Sequence, residues 1–431
     1  MMQEQNKVKN LVIIGGGFAG TKLAKKLENK MPDDWDIYLL SETNFVTYNP
    51  LLPEVVGASI LPGHVQSPIR QILKRTRIRM VTVDQIDYNR RVVCYHNDEP
   101  GELPFDQLVF AAGVQANMDI IEGMREHSLP LKTVGDALLI RNKIIDKLEA
   151  ATIHPDPDRR KLLTRFIIIG GGFSGVETAG ELNDFLKSAE KYYKNIELES
   201  CQIIVLHGAD RLLPELPPKL GEKTAKIFDK RGIDVRVNTN VVSIENETVT
   251  LKDGTKIKAG TIISTIGTRP HDFIQNEALP TDRGRILVSG DMSVPELSGI
   301  WALGDCALVP NLHDKQMSPP TAQFAERQGK QLAKNILAYT NGNPTNEFSY
   351  KPMGMLASIG HNKAVAEIFG FRLSGFIAFL MWRGIYLMKV PTFSRKVRLF
   401  LEWNWAMFFP PDIAHLGFKR TAVKKEHNNE D

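Results

Sequence analysis

Two short glycine-rich stretches carry the residue types and the spacing that bind a phosphate-linked dinucleotide. Asn10–Leu27 (NLVIIGGGFAGTKLAKKL) and Arg165–Leu182 (RFIIIGGGFSGVETAGEL) match almost position for position. In each, a run rich in β-branched residues precedes G-x-G-x-x-G, and helical periodicity follows. Such glycines make a tight turn and let the backbone approach a pyrophosphate, which the N–H groups of the following helix then bind. Two copies, each between a strand and a helix, predict two dinucleotide sites.

The residues expected to bind the two dinucleotides lie within these turns. In the first turn they are Gly15, Gly17, Phe18, Ala19 and Gly20, and in the second they are Gly170, Gly172, Phe173, Ser174 and Gly175.

An acidic residue at the end of the following strand usually binds the ribose hydroxyls of the dinucleotide. After the first turn this acid is Glu42, one place later than expected, with Ser41 at the usual position. After the second turn the strand ends in His207, so the acid is missing. Asp210 and Arg211 follow, and Arg211 is a candidate ligand for a 2′-phosphate. The first site therefore has the features of an FAD site, and the second those of a nicotinamide site for NADH or NADPH.

The length and composition of the chain are those of an ordinary globular protein, whose strands and helices must position these residues. Its 431 residues suffice for two or three domains, with 42% hydrophobic and 24% charged residues. A net charge of +4 is too weak to indicate nucleic acid as a partner. No signal-peptide core follows the N-terminus. Cys94, Cys201 and Cys306 lie far apart, which favours a reducing compartment and predicts neither a metal site nor a local disulfide.

Three further stretches resemble those of flavoproteins with two dinucleotide-binding domains. Gly299–Pro310 places Gly304 and Asp305 after an apolar strand and resembles the second FAD motif, whose aspartate binds the ribityl chain. Ala112 and Gly113 in one stretch, and Gly267 in another, resemble the elements where such chains cross between domains.

The implied fold class is α/β, with two Rossmann-like domains and a C-terminal membrane-associating region. The FAD domain is expected at residues 1–125 and 285–350, the inserted NAD(P)H domain at 126–284, and the C-terminal region at 351–431.

Tyr48–Leu73 (YNPLLPEVVGASILPGHVQSPIRQIL) resembles the type II NADH dehydrogenases, the single-subunit NADH:quinone oxidoreductases. The cysteine pair of the disulfide reductases is absent from this region. The resemblance implies that Pro50 and Leu51 lie against the flavin. It also implies that Glu177 lies near the flavin and handles the nicotinamide or a proton. A carboxylate favoured by the helix dipole is the alternative for Glu177.

The quinone motif of this family, A-Q-x-A-x-Q, is only partly present in Pro319–Leu337. Ala322, Gln323 and Ala325 match, Arg327 replaces the second glutamine, and Gln328 follows, turned by about 100° on a helix. The resemblance implies that Gln323 lies near both flavin and quinone, with Arg327 beside it. It also assigns Lys363 to the quinone site. An amphipathic packing helix and a surface lysine are the alternatives.

Two apolar segments near the C-terminus could form either a membrane-spanning helix or helices that lie on a membrane surface. Leu373–Trp382 is ten apolar residues long, between Arg372 and Arg383, and a helix of that length covers roughly 15 Å of a hydrocarbon core about 30 Å thick. It does not span. From Lys351 onward, the sequence contains twelve Lys and Arg residues but only six Asp and Glu residues. In Phe393–Ile413, Arg395, Arg398 and Glu402 form one helical face and apolar residues form the others. These features favour helices in the headgroup plane, with core helices as the alternative.

The implied function is electron transfer from NAD(P)H, with NADH favoured, through FAD to a membrane quinone, without ion pumping. The enzyme is expected on the cytoplasmic face of the inner membrane as a peripheral protein, and a homodimer is one option. A sulfide:quinone reductase using Cys306 and a ferredoxin or rubredoxin reductase are alternatives within enzymes. A non-catalytic flavin redox sensor at the membrane is the alternative of another class.

Overall fold

The computed structural model describes residues 8–194, 201–275 and 278–417. The first residues of the expected FAD domain and the last fourteen of the expected C-terminal region lie outside the described residues.

The first large sheet is parallel throughout and has the order β22-β9-β1-β2-β5. Its strands are β1 (Lys9–Ile14), β2 (Trp35–Ser41), β5 (Arg77–Met80), β9 (Gln107–Phe110) and β22 (Ile300–Ala302). Four buried residues end β1, as expected for a strand that helices cover on both faces. The last strand of this sheet comes from far along the chain, after the whole second sheet.

The second large sheet repeats this architecture, with the order β11-β18-β12-β13-β14 and parallel pairing. Its strands are β11 (Leu129–Pro130), β12 (Arg165–Ile169), β13 (Gln202–Leu206), β14 (Ile233–Arg236) and β18 (Thr261–Ser264). Between the sheets the chain crosses twice, in the antiparallel pair β10 (Gln115–Ala116) and β19 (Thr268–Arg269). The expected α/β fold with one Rossmann-like unit inserted in another is confirmed.

Smaller antiparallel and mixed sheets are attached to the two Rossmann-like units. They comprise β3 (Phe45–Thr47), β4 (Gln66–Pro68), β6 (Thr82–Asp87), β7 (Val92–His96), β8 (Pro100–Pro104), β15 (Val241–Glu245), β16 (Thr248–Leu251), β17 (Lys256–Lys258), β20 (Thr281–Asp282), β21 (Arg285–Leu287), β23 (Ala307–Leu308), β24 (Pro310–Asn311) and β25 (Gln316–Met317). A C-terminal meander contains β26 (Gly354–Ser358), β27 (Ala364–Ile368) and β28 (Phe371–Gly375).

The helices are α1 (Phe18–Leu27), α2 (Leu52–Val56), α3 (Ile69–Ile72), α4 (Met124–His127), α5 (Val134–Ile153), α6 (Pro157–Leu163), α7 (Phe173–Ala189), α8 (Pro218–Asp229), α9 (Ala322–Thr340), α10 (Phe376–Lys389) and α11 (Phe393–Phe408). Among the described residues, none of these helices is long and apolar enough to cross a bilayer.

The C-terminal helices share a hydrophobic core with the second sheet. Trp382 of α10 and Trp403 of α11 are buried in the same cluster as Phe166 of β12 and Val176 of α7. The first sheet has a separate core, which includes α1 and α9. The C-terminal region is therefore packed into the body of the protein.

Candidate functional site

The two glycine turns adopt nearly the same geometry. The first glycine of each lies in a positive-φ conformation, +112° at Gly15 and +118° at Gly170. A Cβ on Gly20 would lie 2.0 Å from the Gly15 carbonyl oxygen, and one on Gly175 would lie 1.9 Å from that of Gly170. Only glycine permits this approach of helix and strand. Both turns thus form for the reason that the sequence predicts.

The middle glycine of each turn leaves room for a ligand. Gly17 directly precedes α1, and a Cβ there would meet no atom within 4 Å. Gly172 directly precedes α7, and a Cβ there would meet only the Glu215 carboxylate at 3.7 Å. The unpaired N–H groups of each helix start beside this open space and favour an anion there. Both turns fit the pyrophosphate of a dinucleotide.

Residues from distant parts of the chain complete the first site. Gly15 packs against Ala112 at the end of β9, and Gly304 packs against Ala19, the second residue of α1. Phe18 meets the Tyr48 ring edge-on, with ring centroids 5.6 Å apart. This ring contact brings the segment of Pro50 and Leu51 towards the first turn. Gly113, which follows Ala112, adopts a positive φ of 68°.

Asp305 lies in this site opposite a lysine that the sequence analysis missed. Burial raises the pKa of Asp305, while Lys132 and Arg285 oppose the rise. Burial also lowers the pKa of Lys132, and Asp305 opposes that change. Arg285 donates to the Asp305 backbone carbonyl at 2.9 Å. A carboxylate that can bind the hydroxyl groups of a polyol lies on the same side as a phosphate-binding turn, since Gly304 packs against Ala19, and this arrangement fits FAD.

The strand ends beside the two turns differ in character. Ser41 and His207 occupy equivalent positions, because each lies against the second glycine of its turn, Gly16 or Gly171. Glu42 is exposed, directly after β2. His207 Nδ1 accepts a hydrogen bond from the Gly171 N–H at 3.0 Å. Burial lowers the His207 pKa, so the ring is neutral at pH 7.

The structure gives Arg211 other partners than a 2′-phosphate. Its guanidinium lies 3.3 Å from the Asp210 carboxylate and donates to the Pro214 carbonyl at 3.2 Å. The cation is thereby paired within its own loop. Gly267 lies at the crossing strands, where its carbonyl accepts from the Asn117 N–H at 3.2 Å.

Helix α9 presents the partial quinone motif. Gln323 Nε2 reaches the Gly354 carbonyl at 3.5 Å, a weak contact that leaves the amide able to turn to another acceptor. The Arg327 guanidinium stacks on the Tyr350 ring at 5.2 Å. Gln328 is buried, and its Oε1 accepts from the Gly304 N–H at 2.8 Å. Gln328 therefore positions the turn that carries Asp305.

The structure separates Lys363 from Gln323. Gln323 meets Gly354 at one end of β26, whereas Lys363 lies in the turn beyond the other end. Five strand residues place these ends roughly 13 Å apart. Lys389, at the end of α10, lies instead within electrostatic reach of Glu326 and Arg327. We call Gln323, Glu326, Arg327, Lys389 and Tyr48 the acceptor region.

Glu177 is buried near the start of α7 and reaches the C-terminal region. Its carboxylate accepts from the Ser358 N–H of β26 at 3.0 Å. Burial raises its pKa to about 8, although the Ser358 N–H opposes the rise. At pH 7 this group therefore holds a proton that an exposed glutamate would have lost.

This shift predicts how stability depends on pH. Because the pKa of Glu177 rises from 4.5 to about 8 on folding, the folded chain holds this proton more tightly than the unfolded chain. The stabilisation is complete below pH 4.5 and is lost as the pH rises towards 8, by up to about 1.4 kcal/mol per unit. Glu177→Gln should flatten the decline in melting temperature between pH 5 and 8. Glu190→Gln, at an exposed carboxylate at the end of the same helix, should retain it. An unchanged slope in Glu177→Gln would contradict the assignment.

The two C-terminal helices have one buried and one exposed apolar face. Ala378, Phe379 and Trp382 of α10 are buried, as are Leu399 and Trp403 of α11. Arg383, inside the greasy segment, turns inward and stacks on the Phe379 and Trp403 rings at 4.4 and 5.3 Å. Exposed apolar residues of these helices and of the meander before them, which we call the membrane face, are Phe369, Phe371, Phe376, Ile377, Leu380, Met388, Phe393, Val397, Phe400, Leu401, Trp405, Met407 and Phe408.

Part of the predicted charged face of α11 contacts another segment of the protein, residues 61–64. The Glu402 carboxylate accepts from the Leu61 N–H at 2.6 Å and pairs with His64 Nδ1. Arg395 donates to the Gly63 carbonyl. The Arg395 and Glu402 side chains of this face therefore attach α11 to the loop before β4. Arg398, on the same face, is exposed.

Cys306 does not have the environment of a reactive thiol. It is fully buried, contacts the Leu303 carbonyl at 3.3 Å, and burial raises its pKa to about 11. Thiolate chemistry requires the opposite shift. This geometry disfavours a sulfide-oxidising site at Cys306.

Known proteins resemble the chain along almost its full length. Residues 9–329 match the family model described as pyridine nucleotide-disulphide oxidoreductase, and residues 353–410 match the NDH2 C-terminal domain. A probable NADH dehydrogenase of Dictyostelium discoideum is 30% identical, over 96% of this chain and 93% of that protein. The type II NADH:quinone oxidoreductase Ndh of Mycobacterium tuberculosis is also 30% identical, over 91% and 87%.

Solved structures agree on the fold. NDH2 from Plasmodium falciparum in complex with NADH has a TM-score of 0.88 at 20% identity, covering 94% of this chain and 100% of that one. The sulfide:quinone oxidoreductase from Aquifex aeolicus has a TM-score of 0.68 at 18% identity, covering 92% of each. The sulfide:quinone oxidoreductase therefore shares the Rossmann framework of this chain but matches it less well overall. The matches to both regions, and the full-length relatives, show that this chain belongs to the type II NADH dehydrogenases within the pyridine nucleotide-disulphide oxidoreductases.

Proposed function

We propose that this protein transfers two electrons from NADH to a membrane quinone and uses FAD as its cofactor. The observation that carries the proposal is that buried hydrogen bonds connect the helix after the second turn to the C-terminal meander and connect α9 to the second FAD motif. Glu177 of α7 binds the backbone of β26, and Gln328 of α9 binds the second FAD motif. The names of the relatives, including a type II NADH:quinone oxidoreductase, support the proposal.

The residues of the chain mainly bind and orient the reactants. FAD, when bound, supplies the chemistry that links a hydride donor to a quinone. Asp305 and Lys132 would hold the cofactor, and the turn at Gly172 would hold the NADH pyrophosphate. The acceptor region supplies an amide and two cations, from Gln323, Arg327 and Lys389, to the oxygens of a quinone, where negative charge develops on reduction. Lys363 stays a prediction without a contact to this region.

The chain is proposed to favour NADH over NADPH. A 2′-phosphate needs a free cation beside the ribose, and Arg211 is engaged by Asp210 and Pro214. The neutral His207 neither attracts nor strongly repels a phosphate. Discrimination is therefore expected to be modest.

The proposed location is the cytoplasmic face of the inner membrane, with the membrane face in the lipid interface. A homodimer is proposed as one possible assembly at that location.

The membrane face has a direct test. Leu401 and Phe408 are 61% and 77% exposed, and each apolar side chain contributes about 1.5–3 kcal/mol when buried. The double variant Leu401→Glu/Phe408→Glu should therefore bind anionic vesicles at least a hundredfold more weakly in a sedimentation assay. Ile153→Glu, at an apolar residue 84% exposed on α5, should bind like the wild type. Equal binding by all three proteins would refute this orientation.

Stopped-flow absorbance separates the two halves of the proposed reaction. The purified protein should be yellow, NADH should bleach it within the first phase, and a short-chain quinone should restore the colour. Sulfide as donor and ferredoxin as acceptor are the controls. Bleaching by NADH without restoration by quinone would favour a redox sensor, and a colourless folded protein would overturn the proposal.

A further inference from the structure

The loop that follows β13 is fixed against the second glycine turn. The Leu213 N–H donates to the Gly171 carbonyl at 2.8 Å, and the Leu216 N–H donates to the Leu213 carbonyl at 2.9 Å. Helix α8 packs on this loop so closely that a Cβ on Gly221 would lie 2.3 Å from the Leu212 carbonyl oxygen. Leu213 is fully buried in a left-handed conformation, with a φ of +50°. Residues other than glycine rarely adopt this conformation, and such strain is concentrated at functional sites.

This loop presents the carboxylate of Glu215 to the space in front of α7. Glu215 Oε1 lies 3.7 Å from the position of a Cβ on Gly172. Glu215 is exposed, and in the part of the chain that the structure describes no hydrogen bond or ion pair occupies its carboxylate. The nearby cation, Arg211, is engaged by Asp210 and the Pro214 carbonyl. Glu215 is therefore an anion whose oxygens can accept hydrogen bonds from a ligand at the second turn.

The position of Glu215 suits the ribose of the dinucleotide better than the pyrophosphate. Glu215 lies within electrostatic reach of His207, the residue at the end of β13 where an acid for the ribose is expected and missing. A pyrophosphate is itself negative and is repelled by a carboxylate, whereas ribose hydroxyls donate to one in charge-assisted hydrogen bonds.

We propose that Glu215 binds the hydroxyl groups of the adenosine ribose of NADH, in place of the acid that is missing at the end of β13. The inference rests on the proposed function and names the residue of this chain that selects the dinucleotide. The rigid loop holds this carboxylate in place before the ligand arrives, so that little ordering is required on binding.

The same carboxylate opposes NADPH. Between His207 and Leu216 the chain carries Asp210, Glu215 and Arg211, so the loop has a net charge of −1 when His207 is neutral. A 2′-phosphate replaces a donating hydroxyl by a negative group, which Glu215 repels. Because Glu215 is exposed to solvent and salt, this repulsion is screened. The modest preference for NADH then comes from Glu215 and not from His207.

The first test compares NADH and NADPH as donors to a short-chain quinone, with the full-length protein carrying FAD. Glu215→Ala should raise the KM for NADH about tenfold, because a charge-assisted hydrogen bond to the ribose is lost. The kcat should change by less than about twofold, since the nicotinamide is not affected. The KM for NADPH should also change little, because the loss of repulsion offsets the lost contact. The preference for NADH, as a ratio of kcat/KM values, should therefore fall about tenfold.

Glu222→Ala is the matched control, because it removes an exposed carboxylate from α8, next to the same loop. It should behave like the wild type. A purely structural role of Glu215 would instead lower flavin content and raise both KM values together, and this result would overturn the assignment. A lower KM for NADH in Glu215→Ala would also overturn it, since the carboxylate would then face the pyrophosphate.

The second test measures binding without turnover. Calorimetry should show that the wild type binds ADP-ribose about tenfold more tightly than the analogue lacking the 2′-hydroxyl of its adenosine ribose. Glu215→Ala should bind the two compounds with nearly equal affinity, because the hydroxyl and the carboxylate contribute through each other. An equal loss of affinity for the analogue in both proteins would overturn the inference. A wild type that binds ADP-ribose in this way but does not reduce quinone would overturn the proposed function instead.

Discussion

Gly172→Ala is expected to give a folded, yellow protein that NADH hardly reduces. A Cβ at this position meets no atom closer than the Glu215 carboxylate at 3.7 Å, so the fold tolerates the methyl group. The methyl group instead occupies the space where the pyrophosphate must approach the start of α7. Loss of one charge-assisted hydrogen bond costs about 1.5–3 kcal/mol, which corresponds to roughly ten- to hundredfold weaker binding.

Gly17→Ala is the mirror experiment. A Cβ on Gly17 has no neighbour within 4 Å, so this variant should also fold but retain less FAD. Flavin content, the apparent KM for NADH and reduction by dithionite distinguish the two variants. Reduction by dithionite should be normal in Gly172→Ala, since dithionite needs no dinucleotide site. If Gly172→Ala loses flavin and keeps its affinity for NADH, the assignment of the two turns is reversed.

Charge reversal at Arg327 is expected to block the step to quinone. Arg327→Glu would remove the cation that stacks on Tyr350 and place an anion beside Glu326, where negative charge develops as the quinone is reduced. We expect reoxidation by quinone to slow at least a hundredfold, while NADH still bleaches the flavin at nearly the normal rate. Arg327→Gln restores the family motif and should remain active.

Gln323→Ala tests the same region through an amide. Its weak contact with Gly354 leaves the amide available to a quinone oxygen, so the variant should slow reoxidation about tenfold. Lys334→Glu, a charge reversal at an exposed position of the same helix, is the control and should be unaffected. Slower flavin reduction with normal reoxidation in Gln323→Ala would show that α9 does not face the quinone.

Both dinucleotide turns were predictable because their information is local. The strand, the three glycines and the helix lie within eighteen residues, and the third glycine of each turn is required by its contact with the first. The partial quinone motif was informative for the same reason, since the offset of about 100° between positions 327 and 328 already indicated that Gln328 cannot replace the second glutamine of the motif. Its contact with Gly304 shows where it faces.

The residues that the sequence analysis missed depend on long-range contacts. Lys132 meets Asp305, and Glu54 meets Trp403, across more than 150 positions of the chain. The sequence offered one signal for Glu54, because this acidic residue lies within an apolar run and could have been expected to be buried. Lys363 and Lys389 illustrate the same limit, because the position of a lysine depends on how the C-terminal meander and α10 pack.

The shared core of α10, α11 and the second sheet has a practical consequence for protein engineering. Truncation before α10 would remove Trp382 and Trp403, uncover the interior that they share with Phe166, and leave a damaged body prone to aggregation. A detergent-free preparation instead calls for polar substitutions confined to the membrane face, with both helices kept. Such a protein would retain its acceptor region and accept dissolved quinone analogues from bulk water.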